Sequence, residues 1–339
     1  MLKKRLIPVL IIRNGKVVQS EQFDHTNIIH SKPEFAVEFF NKWAADEIIL
    51  LDVTRDRDNR DAFYEALEKL CHRCFLPLTV GGWVTDLNEI RDLLAQGADK
   101  VIINTEAIRN PSLIKKASRK FGSQCIVGSI DARKHDNGDY EVFADRGREP
   151  TNLNPFEWAS ELESLGAGEI YITSIDHDGS RQGYDLNLVS GVVKSVNVPV
   201  IAFGGVSEWD HLVEGIEAGA EALGSVLADL DGYPTVVVKS PVVPGTTEDV
   251  IGPALELESG GRAGVDFGLA VEPAFLRVGS AVADFTDPDR LVFGADDERA
   301  RDALDSAYEP LLDDHDASVV DTGLREAETI KHATDATLV

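Results

Sequence analysis

The feature that most limits the fold is a regular alternation of short apolar runs and amphipathic stretches between residues 5 and 205. The runs are rich in Val, Ile and Leu, which is typical of strands buried on both faces. The stretches between them repeat apolar residues at a spacing of three and four, which predicts helices. Strands are predicted at residues 5–12, 47–54, 76–82, 100–105, 125–133, 169–176 and 199–205.

Strands that alternate with helices form parallel sheets through right-handed crossovers, so the sequence predicts an α/β fold. Seven units are visible, one fewer than a (β/α)₈ TIM-type barrel contains. The eighth unit is therefore predicted to be either incomplete or substituted. Residues 234–240 are β-branched and follow a helical stretch, which makes them the candidate eighth strand. Residues 221–227 are a second candidate, although their composition favours a helix.

The acidic charge of the chain is unevenly distributed, which predicts two domains. Residues 221–339 contain 25 acidic and 8 basic residues, whereas residues 1–220 contain 34 and 25. We expect a barrel domain over residues 1–220 and a partial α/β segment over residues 221–339. The net charge of −26 argues against binding to nucleic acid or to an anionic membrane.

Neither a membrane span nor a cofactor motif is visible in the sequence. No apolar run approaches the roughly 20 residues needed to cross a bilayer. Three cysteines, Cys71, Cys74 and Cys125, cannot form a disulfide framework, which predicts a cytoplasmic protein. The motifs GxGxxG, GxxxxGK[ST] and HExxH are absent, and the histidines show no ligand spacing. We therefore predict no metal and no organic cofactor, and a structural role for Cys71 and Cys74.

The segments LKKRLIPVL, DEIILLDVT, PLTVGG, GADKVIINT and GAGEIYITSIDHDGSRQGYD follow one another between residues 2 and 185. They resemble the HisF-type cyclase subunit of imidazole glycerol phosphate synthase over residues 1 to about 220. The resemblance implies a barrel that receives ammonia from a HisH-type glutaminase bound at its bottom face. It implies a charged ammonia gate at that face formed by Arg5, Glu47, Lys100 and Glu169, with Asp99 beside it toward the glutaminase.

At the top face the resemblance is incomplete. Asp131 matches one of the two aspartates that the family uses as general acid and base, but the other position is Ile11, which cannot transfer a proton. Gln19 replaces a lysine, and Trp83 replaces the third glycine of a phosphate-binding turn. The implied phosphate- or ligand-binding residues that persist are Gly82, Asn104, Thr105, Asp176, Gly179, Gly204 and Gly205.

A retained gate beside a lost aspartate pair resembles the HisF-type paralogues that serve sugar amidination in surface polysaccharide biosynthesis. This resemblance implies a sugar amidotransferase as a further partner and a phosphorylated small molecule as a possible ligand. Two alternatives stay open. In the first, the chain is the cyclase subunit of imidazole glycerol phosphate synthase, which is a lyase of histidine biosynthesis. In the second, it is a nonfunctional gene fusion.

The segments TVVVKSPVVPGTTEDVIGPALE and GLREAETIKHA, after residue 221, resemble an internal fragment of the UDP-glucose/GDP-mannose dehydrogenase superfamily. The family's NAD-binding glycine turn and its nucleophilic cysteine have no counterpart in this sequence. Pro241, Ala274 and Val278 replace a threonine and two glutamates of the family's motifs. The resemblance therefore implies no dehydrogenase activity.

Overall fold

The computed structural model describes residues 5–42, 45–55, 60–228, 230, 232–239, 242–273, 290–314 and 318–337. They divide into two compact units, of which one spans Leu6–Gly215 and the other comprises residues from Ile216 onward together with Arg5. The division falls inside a single helix, Trp209–Leu227. The domain boundary predicted near residue 220 lies in the same helix and stays a prediction.

The first unit is built on one sheet whose central strands are all parallel. Its strands are β1 (Val9–Arg13), β2 (Lys16–Glu21), β3 (His25–His30), β4 (Ile48–Asp52), β5 (Leu78–Gly81), β6 (Lys100–Ile103), β7 (Ile126–Lys134), β8 (Tyr140–Ala144), β9 (Glu149–Pro150), β10 (Glu169–Ser174) and β11 (Val200–Phe203). The order is β11–β10–β7–β6–β5–β4–β1–β2–β3, and every neighbouring pair from β11 to β1 is parallel. All seven predicted strands are present, and the predicted α/β class is confirmed.

Most helices of the first unit pack against the outer face of the sheet, whereas the last helix, Trp209–Leu227, contributes buried residues to the apolar cluster of the second unit. The helices are α1 (Pro33–Lys42), α2 (Asp61–Cys71), α3 (Leu87–Ala95), α4 (Thr105–Arg109), α5 (Ser112–Phe121), α6 (Pro155–Leu165), α7 (Leu186–Ser195) and α8 (Trp209–Leu227). Local sequence fixes several helix ends. Asp86 caps α3 by accepting hydrogen bonds from the amides of Asn88 at 2.7 Å and Glu89 at 3.0 Å. Gly166 ends α6 in the left-handed conformation that glycine adopts most easily.

The inner face of this sheet forms a separate apolar cluster. Residues at alternate positions point inward, because successive side chains of a strand lie on opposite faces. The members of the cluster are Ile7, Val9, Ile49, Leu51, Ile102, Val127, Tyr171, Ile201 and Phe203. Val9 lies on β1 and Ile201 on β11, at the two ends of the parallel series, so the sheet curls until its inner side chains meet. This is the curvature of a TIM-type barrel.

The eighth unit of the barrel is incomplete in the part of the chain that the structure describes. β11 is half-exposed, and none of the described strands pairs with its free edge. Our prediction that residues 234–240 supply strand eight is wrong, because β12 (Thr235–Val238) pairs with β13 (Gly268–Val271) in another sheet. There Val236 and Val238 are almost completely buried. The second candidate, residues 221–227, lies in α8 and is helical, as its composition indicated.

The second unit is a small α/β segment with a sheet of its own. The order of its strands is β12–β13–β14–β15, with β14 (Arg290–Ala295) antiparallel to β13 and β15 (Ser318–Thr322) parallel to β14. Its helices are α9 (Gly252–Ser259), α10 (Glu298–Asp314) and α11 (Leu324–Thr337). Buried Glu328 of α11 accepts hydrogen bonds from the amide of Gly245 and from the amide (3.0 Å) and hydroxyl of Thr247. This carboxylate ties the segment before α9 to α11. None of the described helices is both long enough and apolar enough to span a membrane.

Candidate functional site

A charged cluster lies where the barrel strands begin. Glu47 immediately precedes β4, Lys100 is the first residue of β6, and Glu169 is the first residue of β10. Lys100 Nζ donates to Glu47 Oε2 at 2.8 Å and to both carboxylate oxygens of Glu169 at 3.1 Å. Thr79 Oγ1 on β5 donates to Glu47 Oε1. Glu47, Lys100 and Glu169, named the charged cluster below, are thus brought together as predicted.

The charged cluster lies at the bottom of the barrel interior. Each member is two residues before an inward-pointing side chain of its strand, namely Ile49, Ile102 and Tyr171, and therefore lies on the same face. Glu47 is 2% exposed, so its charge depends on Lys100 for compensation. One ammonium group shared between two carboxylates forms a closed set of charge-assisted hydrogen bonds. Only a small neutral molecule could pass such a set without leaving a buried charge unpaired.

Two further residues, Arg5 and Asp99, were predicted for this face. Arg5 is half-buried and groups with the second unit, so its place in a gate stays a prediction. Asp99 is exposed and forms a reciprocal pair with Leu78: its carboxylate accepts from the Leu78 amide, and its own amide donates to the Leu78 carbonyl, both at 2.8 Å. Asp99 therefore aligns the start of β6 with β5. Its contact with a partner stays a prediction.

At the opposite end of the interior, Asp131 on β7 is the main titratable group. Asn104, which follows β6, donates its side-chain amide to Asp131 Oδ2 at 2.9 Å and to Ser129 Oγ at 3.1 Å. The pKa of Asp131 is raised to about 7, mainly by burial and to a smaller extent by the negative charge of Asp178, while the hydrogen bond from Asn104 opposes the shift. Asp131 can therefore gain or lose a proton near neutral pH. The buried carbonyl oxygen of Asn104 has no hydrogen-bond partner in the described structure.

Asp131 has no acidic partner on β1. Ile11 is half-buried and lies on the same face of β1 as the inward-pointing Val9. A hydrocarbon side chain at this position cannot give or accept a proton. General acid–base chemistry by a pair of carboxyl groups on β1 and β7 is therefore not available here.

Sequence reasoning missed a second buried carboxyl group at this end. Asp178 lies in the turn after β10 and is 3% exposed. Its side chain accepts hydrogen bonds from the Ser20 hydroxyl and, at 3.4 Å, from the Phe23 amide, so it holds the tip of the β2–β3 hairpin. Burial raises the pKa of Asp178. The sequence HDGS indicated a turn, but not that Asp178 is buried in it.

The predicted glycines of the rim allow close backbone contacts. Gly82 follows β5 with φ +111°, and a Cβ atom there would lie 2.4 Å from the carbonyl oxygen of Asp52. The carbonyl of Gly82 accepts a hydrogen bond from the buried Arg60 at 2.9 Å. Gly204 and Gly205 follow β11, also with positive φ, and a Cβ atom on Gly205 would lie 1.9 Å from a neighbouring carbonyl. Only glycine fits these positions, whether or not a phosphate binds.

The remaining predicted ligand-binding residues also have partners within the chain. Thr105 Oγ1 accepts a hydrogen bond from the Asp145 amide at 3.0 Å. Asp176 Oδ2 accepts from the Lys134 amide at 2.9 Å. A Cβ atom on Gly179 would lie 2.3 Å from the carbonyl oxygen of Ser20. A role of these residues in ligand binding stays a prediction.

Trp83 occupies the rim position at which a third glycine was expected. Its backbone has φ +57°, and its indole Nε1 donates to the Thr54 carbonyl at 2.7 Å. The guanidinium of Arg146 lies over the ring, 5.3 Å from its centre. Gln19, which replaces the expected lysine, is paired with Asn27 within the β2–β3 hairpin. The rim therefore differs from the phosphate site that the resemblance implied in two features, the indole ring of Trp83 and the absence of a cation at position 19.

Metal and thiol chemistry have no visible site in the described ranges. No group of three His, Cys, Asp or Glu side chains there could hold a metal ion. Burial raises the pKa of Cys71 to about 11 and also raises the pKa of Cys74, which disfavours the reactive thiolate. This agrees with a packing role for both. The departures expected at Pro241, Ala274 and Val278 lie outside the described residues.

Comparison with known proteins assigns the two parts of the chain. A family described as "Histidine biosynthesis protein" matches residues 5–229, and the "UDP-glucose/GDP-mannose dehydrogenase family, NAD binding domain" matches residues 188–312. The imidazole glycerol phosphate synthase subunits HisF of two Clostridium botulinum strains, Okra / Type B1 and 657 / Type Ba4, are similar. Each is 45% identical over 215 residues, which cover 63% of this chain and 85% of the relative. The chain therefore belongs to the histidine biosynthesis protein family, with a HisF-type barrel followed by a segment similar to nucleotide-sugar dehydrogenases.

Proposed function

We propose that the barrel accepts ammonia from a HisH-type glutaminase at the charged cluster and passes it to a sugar amidotransferase reaction in surface polysaccharide biosynthesis. The observation that carries this proposal is one contrast between the two ends of the interior. Glu47, Lys100 and Glu169 of the charged cluster are hydrogen-bonded to one another, whereas Ile11 leaves Asp131 without an acidic partner on β1.

The charged cluster supports entry of ammonia rather than of ammonium. A cation that approaches Lys100 would be repelled, and one that replaced it would have to lose its water. Neutral ammonia can exchange hydrogen bonds with Lys100 and with the carboxylates of Glu47 and Glu169 one at a time. The partner at this face is proposed from the family resemblance, and Asp99 is the exposed candidate contact beside the charged cluster.

The top face supports binding and transfer more than ring closure. Ring closure by paired acid and base needs two proton-transfer groups held on either side of the substrate. Asp131 can supply one such group near neutral pH, and Ile11 supplies none. A ligand that carries a hydroxyl or amino group could still donate a hydrogen bond to the side-chain oxygen of Asn104, which is unpartnered among the described residues. We therefore propose delivery of ammonia, not cyclisation, as the role of this face.

A cyclase subunit of histidine biosynthesis is the second candidate. It is favoured by the 45% identity to relatives named imidazole glycerol phosphate synthase subunit HisF and by the retained Asp131 and Asn104. In this case Asp178 would be the remaining carboxyl group able to assist, since it is buried and its pKa is raised. An Ile11→Asp substitution would then leave cyclase turnover unchanged, whereas under a lost-pair account it would increase turnover.

A nonfunctional fusion is the third candidate. The dehydrogenase-like segment is proposed to be inactive, because the chain has no GxGxxG motif to hold a dinucleotide. The apolar clusters of both units indicate folded cores. A cooperative unfolding transition with an α/β circular dichroism spectrum would count against this candidate.

The experiment that tests the proposed function has two arms. Glutamate release by a HisH-type glutaminase is measured with and without the purified chain, and cyclase turnover of the histidine-pathway intermediate is measured with added ammonium salt. We expect stimulation of the glutaminase and no cyclase turnover. Cyclase turnover would support the second candidate, and a folded chain without either activity would support the third.

A further inference from the structure

Tyr171 places a hydroxyl in the apolar middle of the barrel interior. The other members of the inner cluster are aliphatic or phenylalanine side chains, and the buried Ser129 of β7 lies opposite Tyr171 in the register of the sheet. The tyrosine is 2% exposed, and its ring stacks on Phe203 with a centroid distance of 5.7 Å and an interplanar angle of 27°. The ring is thereby held in place, with the hydroxyl inside the barrel.

The position of Tyr171 along β10 lies between the two ends of the candidate site. Glu169 of the charged cluster is two residues before it, and Thr173, which pairs with Asp131 of β7, is two residues after it. At a rise of about 3.3 Å per residue, each of these levels is about 7 Å away along the strand. Along β10, Tyr171 therefore lies midway between the level of the charged cluster and the level of Asp131.

The hydroxyl of Tyr171 has no hydrogen-bond partner in the part of the chain that the structure describes. The side chain of Thr173 is near enough to lower the pKa of the phenol, but it does not meet the distance and angle of a well-formed hydrogen bond to the Tyr171 hydroxyl. Almost all buried polar groups in proteins are hydrogen-bonded, because an unsatisfied hydroxyl in an apolar environment is costly. A phenol in this state calls for a small partner that is not part of the protein.

The chemistry of that partner follows from its surroundings. An apolar cluster disfavours any charged species, which excludes ammonium and larger ions. A phenol donates one hydrogen bond and accepts others, so it matches a small neutral molecule that both donates and accepts. Burial, together with the negative charge of Asp131, raises the pKa of Tyr171, so the phenol stays neutral and does not ionise beside such a molecule.

We propose that the Tyr171 hydroxyl is a binding position for one ammonia molecule between the charged cluster and Asp131. This inference rests on the proposed function, because ammonia is the neutral molecule which that function moves through the interior. Water has the same hydrogen-bonding chemistry, and the experiment below separates the two. Tyr171 acts here by binding and positioning, and takes no part in bond formation.

The test compares the full-length chain with two variants, each of which loses one phenolic hydroxyl. Tyr171→Phe keeps the stacked ring. Tyr64→Phe is the matched control, because Tyr64 of α2 packs against the apolar core between the helices and the outer face of the sheet. Urea unfolding is measured in ammonium chloride and in sodium chloride of equal ionic strength, at about pH 7 and about pH 9. The fraction of uncharged ammonia is much larger at the higher pH.

At about pH 9, we expect ammonium chloride to lower the unfolding equilibrium constant of the wild-type chain and of Tyr64→Phe. The decrease is twofold when free ammonia equals its dissociation constant, and it grows with concentration. Tyr171→Phe should show no such decrease, and no variant should show it at about pH 7. Equal ammonia dependence in Tyr171→Phe and the wild type would overturn the proposal.

A second outcome would also overturn the proposal: the stability of the wild-type chain does not depend on ammonia, but it exceeds that of Tyr171→Phe in sodium chloride. That outcome would assign the position to water. Neither readout uses a glutaminase. Failure of the chain to stimulate the glutaminase would thus defeat the proposed function separately from ammonia binding at Tyr171.

Discussion

Replacement of Lys100 by methionine tests the charged cluster most sharply. Methionine has a similar length and no charge, so Lys100→Met removes the ammonium group that the carboxylates of Glu47 and Glu169 share. Both are buried, and removal of one partner from a buried ion pair costs about 3–5 kcal/mol. Thr79 still donates a hydrogen bond to Glu47 after the substitution. We expect the free energy of unfolding of the barrel to fall by about 3–5 kcal/mol.

The assay is urea unfolding of the wild type, Lys100→Met and a matched control, Lys116→Met, which replaces an exposed lysine of α5. The control should change the free energy of unfolding by no more than about 0.5 kcal/mol. A triple variant in which Lys100→Met is combined with Glu47→Gln and Glu169→Gln should recover much of the loss, because no buried charge then lacks a partner. A loss for Lys100→Met as small as that of the control would refute the view that Lys100 compensates two buried charges.

Three further predictions concern other parts of the chain. Since the pKa of Asp131 is raised to about 7, the native state still binds a proton between about pH 4 and pH 7, where the unfolded state has released it. The stability of the wild type relative to Asp131→Asn is therefore highest below about pH 4 and falls as the pH rises through about 7. This change in the free energy of unfolding is at most about 4 kcal/mol. Urea unfolding that gives the same difference between wild type and variant at every pH would contradict the prediction. Glu328→Ala leaves three hydrogen-bond donors near α9 without their acceptor, which should destabilise the second unit by about 3 kcal/mol or more. Hydrogen exchange should show this loss in the second unit and no change in the barrel. An equal effect in both units would contradict the prediction. With its pKa at about 11, the thiol of Cys71 should react with iodoacetamide about 100-fold more slowly in the native than in the unfolded chain at neutral pH, and that of Cys74 should also be slowed; rapid native labelling would exclude a packing role.

Much of the barrel could be predicted from periodicity alone. The seven apolar runs all form parallel strands in the expected order, because buried strands joined by helices leave few alternative topologies. The runs at 47–54, 100–105 and 169–176 begin with Glu47, Lys100 and Glu169, respectively. Since parallel strands start at the same edge of a sheet, these three side chains lie close together, and the structure shows them hydrogen-bonded to one another; their role as a gate stays a prediction.

Other features could not be predicted, for identifiable reasons. Residues 234–240 have the composition of a strand, but composition does not specify the partner, and β13 pairs with them in a separate sheet. Asp178 has the sequence context of an exposed turn and is buried only because the β2–β3 hairpin folds onto it. Tyr171 lies in an apolar run that predicts a core residue, and no sequence pattern reveals that its hydroxyl lacks a partner.

The most direct test of the central claim is stimulation of a HisH-type glutaminase by the purified full-length chain. Glutamate release is followed with no barrel, with the wild-type chain and with the exposed-site variant Lys116→Met. We predict that both chains stimulate glutamate release equally, because both present an intact bottom face with the charged cluster of Glu47, Lys100 and Glu169. A folded wild-type chain that leaves glutamate release unchanged would contradict the claim that this barrel receives ammonia.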